Sequence, residues 1–170
     1  MRLSSSILID EEQIRQRVEA LARAIAADTP EGAPLSVLAI MDGAFMFCAD
    51  LVRRLPMPVR LGLVPLISVE RGGDPQGLVL PAGFPVRGAD LLVVEDILDT
   101  GKTLAALNVR LRREQPRRIR LAILLDKPAN RAVEVRPDYV GFELEDRWAV
   151  GYGLDFEGLY RNLPYISFVE

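Results

Sequence analysis

Apolar residues at Ile14, Val18, Leu21 and Ile25 have the spacing of one face of an α-helix. Asp10, with Gln13 three positions later, makes a capping box at its start, and the helix is expected to end near Asp28, before Pro30. Leu35 to Met41 is a nearly continuous apolar run, followed by the turn pair Asp42-Gly43 and a helical pattern from Phe45 to Leu55. Leu61 to Ser68 reads as a further strand. Leu91 to Val94 reads as a buried strand that leads through a polar turn into a helix from about Thr103 to Glu114, and Ile119 to Leu125 reads as another buried strand. Strands that are apolar throughout, with helices between them, predict a mostly parallel sheet covered on both faces. The expected class is α/β, with right-handed crossovers.

Two stretches break the rhythm. Glu70 to Gly77 holds three glycines, a proline and two acids without an apolar period, which predicts a mobile loop. From Tyr139 onward short strand-like runs alternate with turns. There is no repeat, low-complexity tract or linker, so residues 1–170 are expected to form one domain.

Composition narrows the chemistry. Hydrophobic residues make up 49% and charged residues 26%, which supports a real core and excludes wholesale disorder and fibrous repeats. Lys and Arg number 21 against 24 Asp and Glu, so the charge of -3 lacks the basic excess of a general nucleic-acid or membrane-surface binder. The chain contains no histidine, which removes Ser-His-Asp, Cys-His and histidine-ligated zinc chemistry. Acid-base work is left to carboxylates, Lys or Tyr. The single cysteine, Cys48, sits in the apolar stretch Ala44 to Leu51 and reads as a buried thiol in a reducing compartment. No run approaches the roughly 20 apolar residues of a membrane span, and Met1 to Asp10 is too short and too early-acidic for a secretory signal. The expected location is the cytoplasm.

The most informative passage is Leu91-Leu92-Val93-Val94-Glu95-Asp96-Ile97-Leu98-Asp99-Thr100-Gly101-Lys102-Thr103. A buried strand delivers two adjacent acids, and a short loop then opens a helix whose first N–H groups favour an anion. The loop reads as a phosphate cradle with acids at its rim. A Walker motif is set aside, because the glycine it needs five residues before Gly101 is Asp96 here. The bland alternative is that Asp99 and Thr100 only cap a helix.

In this passage the chain resembles type I phosphoribosyltransferases. Further runs resemble the hypoxanthine-guanine members in the same order: Leu124-Leu125-Asp126-Lys127-Pro128, Asp138 to Glu143, Trp148, Gly151-Tyr152-Gly153-Leu154-Asp155 and Tyr160-Arg161-Asn162-Leu163. The resemblance covers about Leu35 to Tyr165 and implies the family fold with a small hood from the C-terminal segment. It implies transfer of ribose 5-phosphate from phosphoribosyl pyrophosphate to a purine nitrogen, assisted by Mg2+. Glu95 and Asp96 then face the ribose hydroxyls and help organise the metal, and Asp99 is the base that takes the purine N7 proton. Thr100, Gly101, Lys102 and Thr103 cradle the 5-phosphate. Lys127 donates to the 6-oxo group, Trp148 stacks on the purine, and the backbone at Ala149 reads its edge. Asp155 holds a metal through water near the pyrophosphate, Arg161 neutralises phosphates, and the family habit implies a homodimer or homotetramer.

Three bland alternatives stand beside these roles: a surface lysine for Lys127, a core filler for Trp148 and a turn cap for Asp155. A regulator of the same fold that binds phosphoribosyl pyrophosphate without turnover is the rival from another class. Two departures from the family pattern stand out. Asp42-Gly43 occupies the pyrophosphate loop where the family carries Lys-Gly, and Ser68-Val69-Glu70-Arg71-Gly72-Gly73 replaces the Ser-Tyr pair of its lid.

Overall fold

The computed structural model describes residues 2–65 and 80–170. The expected loop Glu70 to Gly77, and residues 66–68 of the strand expected over Leu61 to Ser68, lie outside the described residues. The chain runs through α1 (Glu11–Ala27), β1 (Leu35–Met41), α2 (Phe45–Val52), β2 (Val59–Pro65), β3 (Asp90–Leu98), α3 (Lys102–Arg113), β4 (Arg118–Asp126) and β5 (Tyr139–Glu143). Two short strands follow, β6 (Ala149–Val150) and β7 (Ser167–Phe168). The five longer strands form one parallel sheet in the order β2-β1-β3-β4-β5.

The uniform apolarity of the central strands follows from their two covered faces. Val37 and Ala39 of β1, with Leu92 and Val94 of β3, point into a core shared with α1 and α2. Leu38 and Ile40, with Leu91 and Val93, point into a second core that holds Leu104, Leu107 and Leu111 of α3. In α1 the predicted period packs Ile14, Val18, Leu21 and Ile25 inward, and the Asp10–Gln13 capping box forms in both directions. Removing such a side chain from water stabilises by about 1.5–3 kcal/mol. Cys48 is buried in the first core, and burial pushes its thiol up to about 11, as expected for an unreactive position.

Several features differ from the expectations, among them the start of β2 at Val59 rather than Leu61. β3 continues past Val94 to Leu98, because Glu95, Ile97 and Leu98 stay in register with Ile123, Leu125 and Asp126 of β4 and the ladder outweighs the polarity of the two acids. α2 stops at Val52 rather than Leu55: the N–H groups of Arg54 and Leu55 turn to Leu51 and Val52, and Pro56 follows. The hood is not made by the C-terminal segment alone. β6 and β7 pair with each other, and the N-terminal residues join them through Leu3 opposite Val169 and Ile9 opposite Ile166.

Candidate active site

The strand order reverses direction between β1 and β3, and in open parallel sheets ligands bind beyond the carboxyl ends of the strands at such a switch point. Here the loop after β1, Asp42-Gly43, faces the acids of β3. The fit is close: a Cβ on Gly43 would lie 1.6 Å from Oδ2 of Asp96, so any larger residue displaces that carboxylate. On its other side the carbonyl of Gly43 approaches Gly153 of the hood, where a Cβ would meet it at 2.2 Å. Gly153 has φ +103, a conformation that also favours glycine. The peptide between Met41 and Asp42 is cis.

A polar cleft of about 310 Å³ is lined by Asp42, Gly43, Glu95, Asp96, Asp99, Thr100, Gly101, Thr103, Asp155 and Arg161, with apolar walls from Ile40, Met41, Ile97, Leu98 and Leu104. Lys102, expected in the phosphate cradle, is exposed and is not among these lining residues. As the first residue of α3 its side chain leaves the helix on a different face from that of Thr103. The N-cap of α3 is Gly101 at φ +82, with no side-chain cap, so Asp99 and Thr100 do not serve as its caps and the first-turn N–H groups are left for an anion. Glu95 is 8% exposed; burial first, and the neighbouring Asp96 charge second, push its carboxyl well above the ordinary range. Oδ1 of Asp99 is buried without a hydrogen-bond partner.

A second cleft of about 280 Å³ contains Lys127, Trp148, Ala149 and Leu154 and shares Asp96, Ile97, Asp99 and Asp155 with the first. Lys127 is only 6% exposed, which overturns the surface-lysine alternative; its Nζ donates to the carbonyl of Arg147 at 2.6 Å and lies 3.5 Å from Asp146. Trp148 is 59% exposed and therefore no core filler; its Nε1 donates to the carbonyl of Asp155 at 3.0 Å, and its ring meets Phe156 edge to face. Asp155 is engaged on both oxygens, by Arg161 at 2.8 Å and by the N–H of Gly158 at 2.7 Å, so the turn-capping contact exists beside the ion pair. Arg161 also donates to the carbonyl of Gly153 at 2.7 Å. Tyr152 is buried and donates to Asp50 at 2.7 Å, which ties the hood to α2.

The geometry thus joins a polar cleft at the start of α3 to an aromatic-edged one through Asp96, Asp99 and Asp155. Residues 4–157 match the family model of the phosphoribosyl transferase domain, and the chain belongs to that family. A hypoxanthine-guanine phosphoribosyltransferase of Bacillus anthracis has the same fold, with a TM-score of 0.90 at 35% identity over 98% of each chain. The hypoxanthine-guanine phosphoribosyltransferase of Aquifex aeolicus is 36% identical over 167 residues, 96% of this chain and 94% of that protein. A bifunctional TilS/HprT protein of Listeria monocytogenes is 35% identical over 167 residues, and there the chain spans 26% of the relative.

Proposed function

We propose that the chain transfers ribose 5-phosphate from phosphoribosyl pyrophosphate to hypoxanthine or guanine, with xanthine as a third candidate base, giving the nucleoside monophosphate and pyrophosphate. The observation that carries the reading is Asp99, whose unpartnered buried oxygen lies where the two clefts meet. The names of the relatives support it. In this reading the bond from C1′ of the ribose to pyrophosphate breaks with its electron pair leaving on pyrophosphate, the purine N9 bonds to C1′, and the N7 proton passes to Asp99. The first-turn amides of α3 and the hydroxyls of Thr100 and Thr103 hold the 5-phosphate, and Arg161 faces the pyrophosphate. Trp148 stacks on the base while Lys127 donates to its 6-oxo group, which disfavours adenine because an amino group would oppose one donor with another.

The donor set fits Mg2+. Hard carboxylate oxygens of Glu95, Asp96 and Asp155 border the first cleft, yet among the described residues no group of three acids converges as a cage. These residues therefore suit a cation that arrives with the pyrophosphate and keeps water and phosphate oxygens. When bound, the cation supplies charge neutralisation for the leaving group. A homodimer or homotetramer and a cytoplasmic setting complete the reading; among the described residues no helix is long and apolar enough to cross a membrane.

The test is pyrophosphate release from phosphoribosyl pyrophosphate and Mg2+ with a panel of bases. Turnover with hypoxanthine and guanine far above adenine is expected. Equal rates with adenine refute the oxopurine assignment, and binding of phosphoribosyl pyrophosphate without release under any base favours a regulator.

A further inference from the structure

Arg131 has no part in the chemistry just described, yet its side chain reaches back under the loop that carries Asp99. Nη1 donates to the carbonyl of Leu98 at 2.9 Å and to the carbonyl of Asp99, and Nη2 donates to the carboxylate of Asp126. The side chains of this ion pair are only 16% and 10% exposed, so water competes little with it. The N–H groups of Ala132 and Val133 donate to the carbonyl of Thr100 at 3.0 and 3.1 Å. Three consecutive carbonyls of the loop are thereby held by one short segment. Asp126, on the other side of the pair, immediately precedes Lys127, whose own N–H donates to the carbonyl of Leu98 at 3.0 Å. Oδ1 of Asp99 has no partner, so the direction of this carboxylate depends on the backbone from which it projects.

We infer that Arg131 is a positioning residue: it fixes the backbone of Asp99 and, through Asp126, ties that loop to the strand end carrying Lys127. The distance between the group that takes the N7 proton and the group that reads the 6-oxo position is set by this clamp. The inference rests on the roles proposed for Asp99 and Lys127. A guanidinium suits the task because its planar fork reaches two carbonyls and a carboxylate together; an ammonium replaces the charge but not the fork.

The experiment compares the parent with Arg131→Lys, Asp126→Asn, Asp99→Asn and the double variant Asp99→Asn/Arg131→Lys. Each is followed by melting, by calorimetric titration with phosphoribosyl pyrophosphate, and by steady-state pyrophosphate release. Arg131→Lys is expected to melt near the parent and to lose kcat by about tenfold or more, since small misplacements of a reacting group are costly. Its KM for phosphoribosyl pyrophosphate should stay within about threefold, because the amides of Ala132 and Val133 still hold Thr100. If Arg131 acts through Asp99, the double variant is no slower than Asp99→Asn alone. Should Arg131→Lys melt early, Asp126→Asn carries the test with the same expected split of kcat from KM. A folded Arg131→Lys with parental kcat overturns the inference, as does a double variant whose losses multiply or a loss confined to KM. An inactive parent instead refutes the reading of the site, and this inference falls with it; an active parent with an unimpaired Asp99→Asn refutes the base assignment.

Discussion

Replacing Gly43 by alanine tests the packing on which the first cleft depends. The added Cβ would lie 1.6 Å from Oδ2 and 2.5 Å from Cγ of Asp96. Ordinary contact needs roughly 2 Å more than the shorter of these distances. The loop cannot simply retreat, because its carbonyl already abuts the backbone of Gly153. Asp96 must therefore turn away, and its Oδ1 then gives up the N–H of Ile97, now accepted at 2.8 Å. Overpacking of this kind costs about 1–3 kcal/mol and the lost hydrogen bond about 1 kcal/mol. For a chain of this size a total of about 2–4 kcal/mol lowers Tm by about 5–15 °C. Turnover should fall by about 10²-fold, because Asp96 borders both clefts. Thermal melting and pyrophosphate release measure the two effects. Gly32→Ala is the control: at φ +72 with open space around it, the change brings backbone strain of about 1–2 kcal/mol and leaves turnover alone. A Gly43→Ala protein that melts within about 2 °C of the parent and turns over within about threefold would refute the packing argument.

Asp99→Asn should keep the fold and the binding of phosphoribosyl pyrophosphate by calorimetry while slowing turnover by about 10²-fold or more; a rate within a few-fold of the parent removes Asp99 from the role of base. Asp42 is exposed, so Asp42→Asn should alter affinity for phosphoribosyl pyrophosphate by about threefold or less across a magnesium series; a large loss independent of magnesium contradicts a backbone-only contact for this loop. Away from the site, hydrogen bonding and charge from Arg117 hold the Asp90 carboxyl below its ordinary 3.8. That stability is present above the ordinary value and lost as pH falls through the lowered one, so the Tm deficit of Asp90→Asn should be full at about pH 7 and shrink below about pH 4; a deficit that grows on acidification refutes the ion-pair account.

The legible parts of the fold are those with a local signal. α1 carries both its period and its capping box, and β1 and β4 are short apolar runs that two covered faces demand. The extension of β3 through Glu95 and Asp96 had no such signal, because parallel pairing with β4 decides it. The same holds for the hood: residues near Leu3 and Ile9 pair with residues near Val169 and Ile166, at the far end of the chain. Within the site, the acids and the glycine of the loop were readable because they are contiguous and chemically distinctive. That the side chain of Lys102 stays exposed outside the cleft could not be read, since adjacency in a motif does not say which way a side chain leaves the first turn of a helix; its backbone N–H still belongs to that turn. Arg131 was invisible for a related reason: its partners are mostly carbonyls, which every residue has.

The charge on the first cleft restricts how the proposed anionic substrate can bind there. Asp42, Glu95, Asp96, Asp99 and Asp155 line it against Arg161, and Arg161 is already paired with Asp155. A polyanion approaching this wall meets repulsion unless the acids are neutralised or turned aside. Part of the answer is built in, since burial favours the protonated form of Glu95 and Asp42 is exposed to solvent. The N-terminus of α3 adds uncapped amides that favour an anion without adding a formal charge. What remains is a deficit of positive charge beside Asp96, which in the proposed reading a divalent cation arriving with the pyrophosphate would supply. Arg161 is the one cationic side chain among the described residues that line the cleft, so affinity for the proposed substrate should fall steeply as Mg2+ is withdrawn.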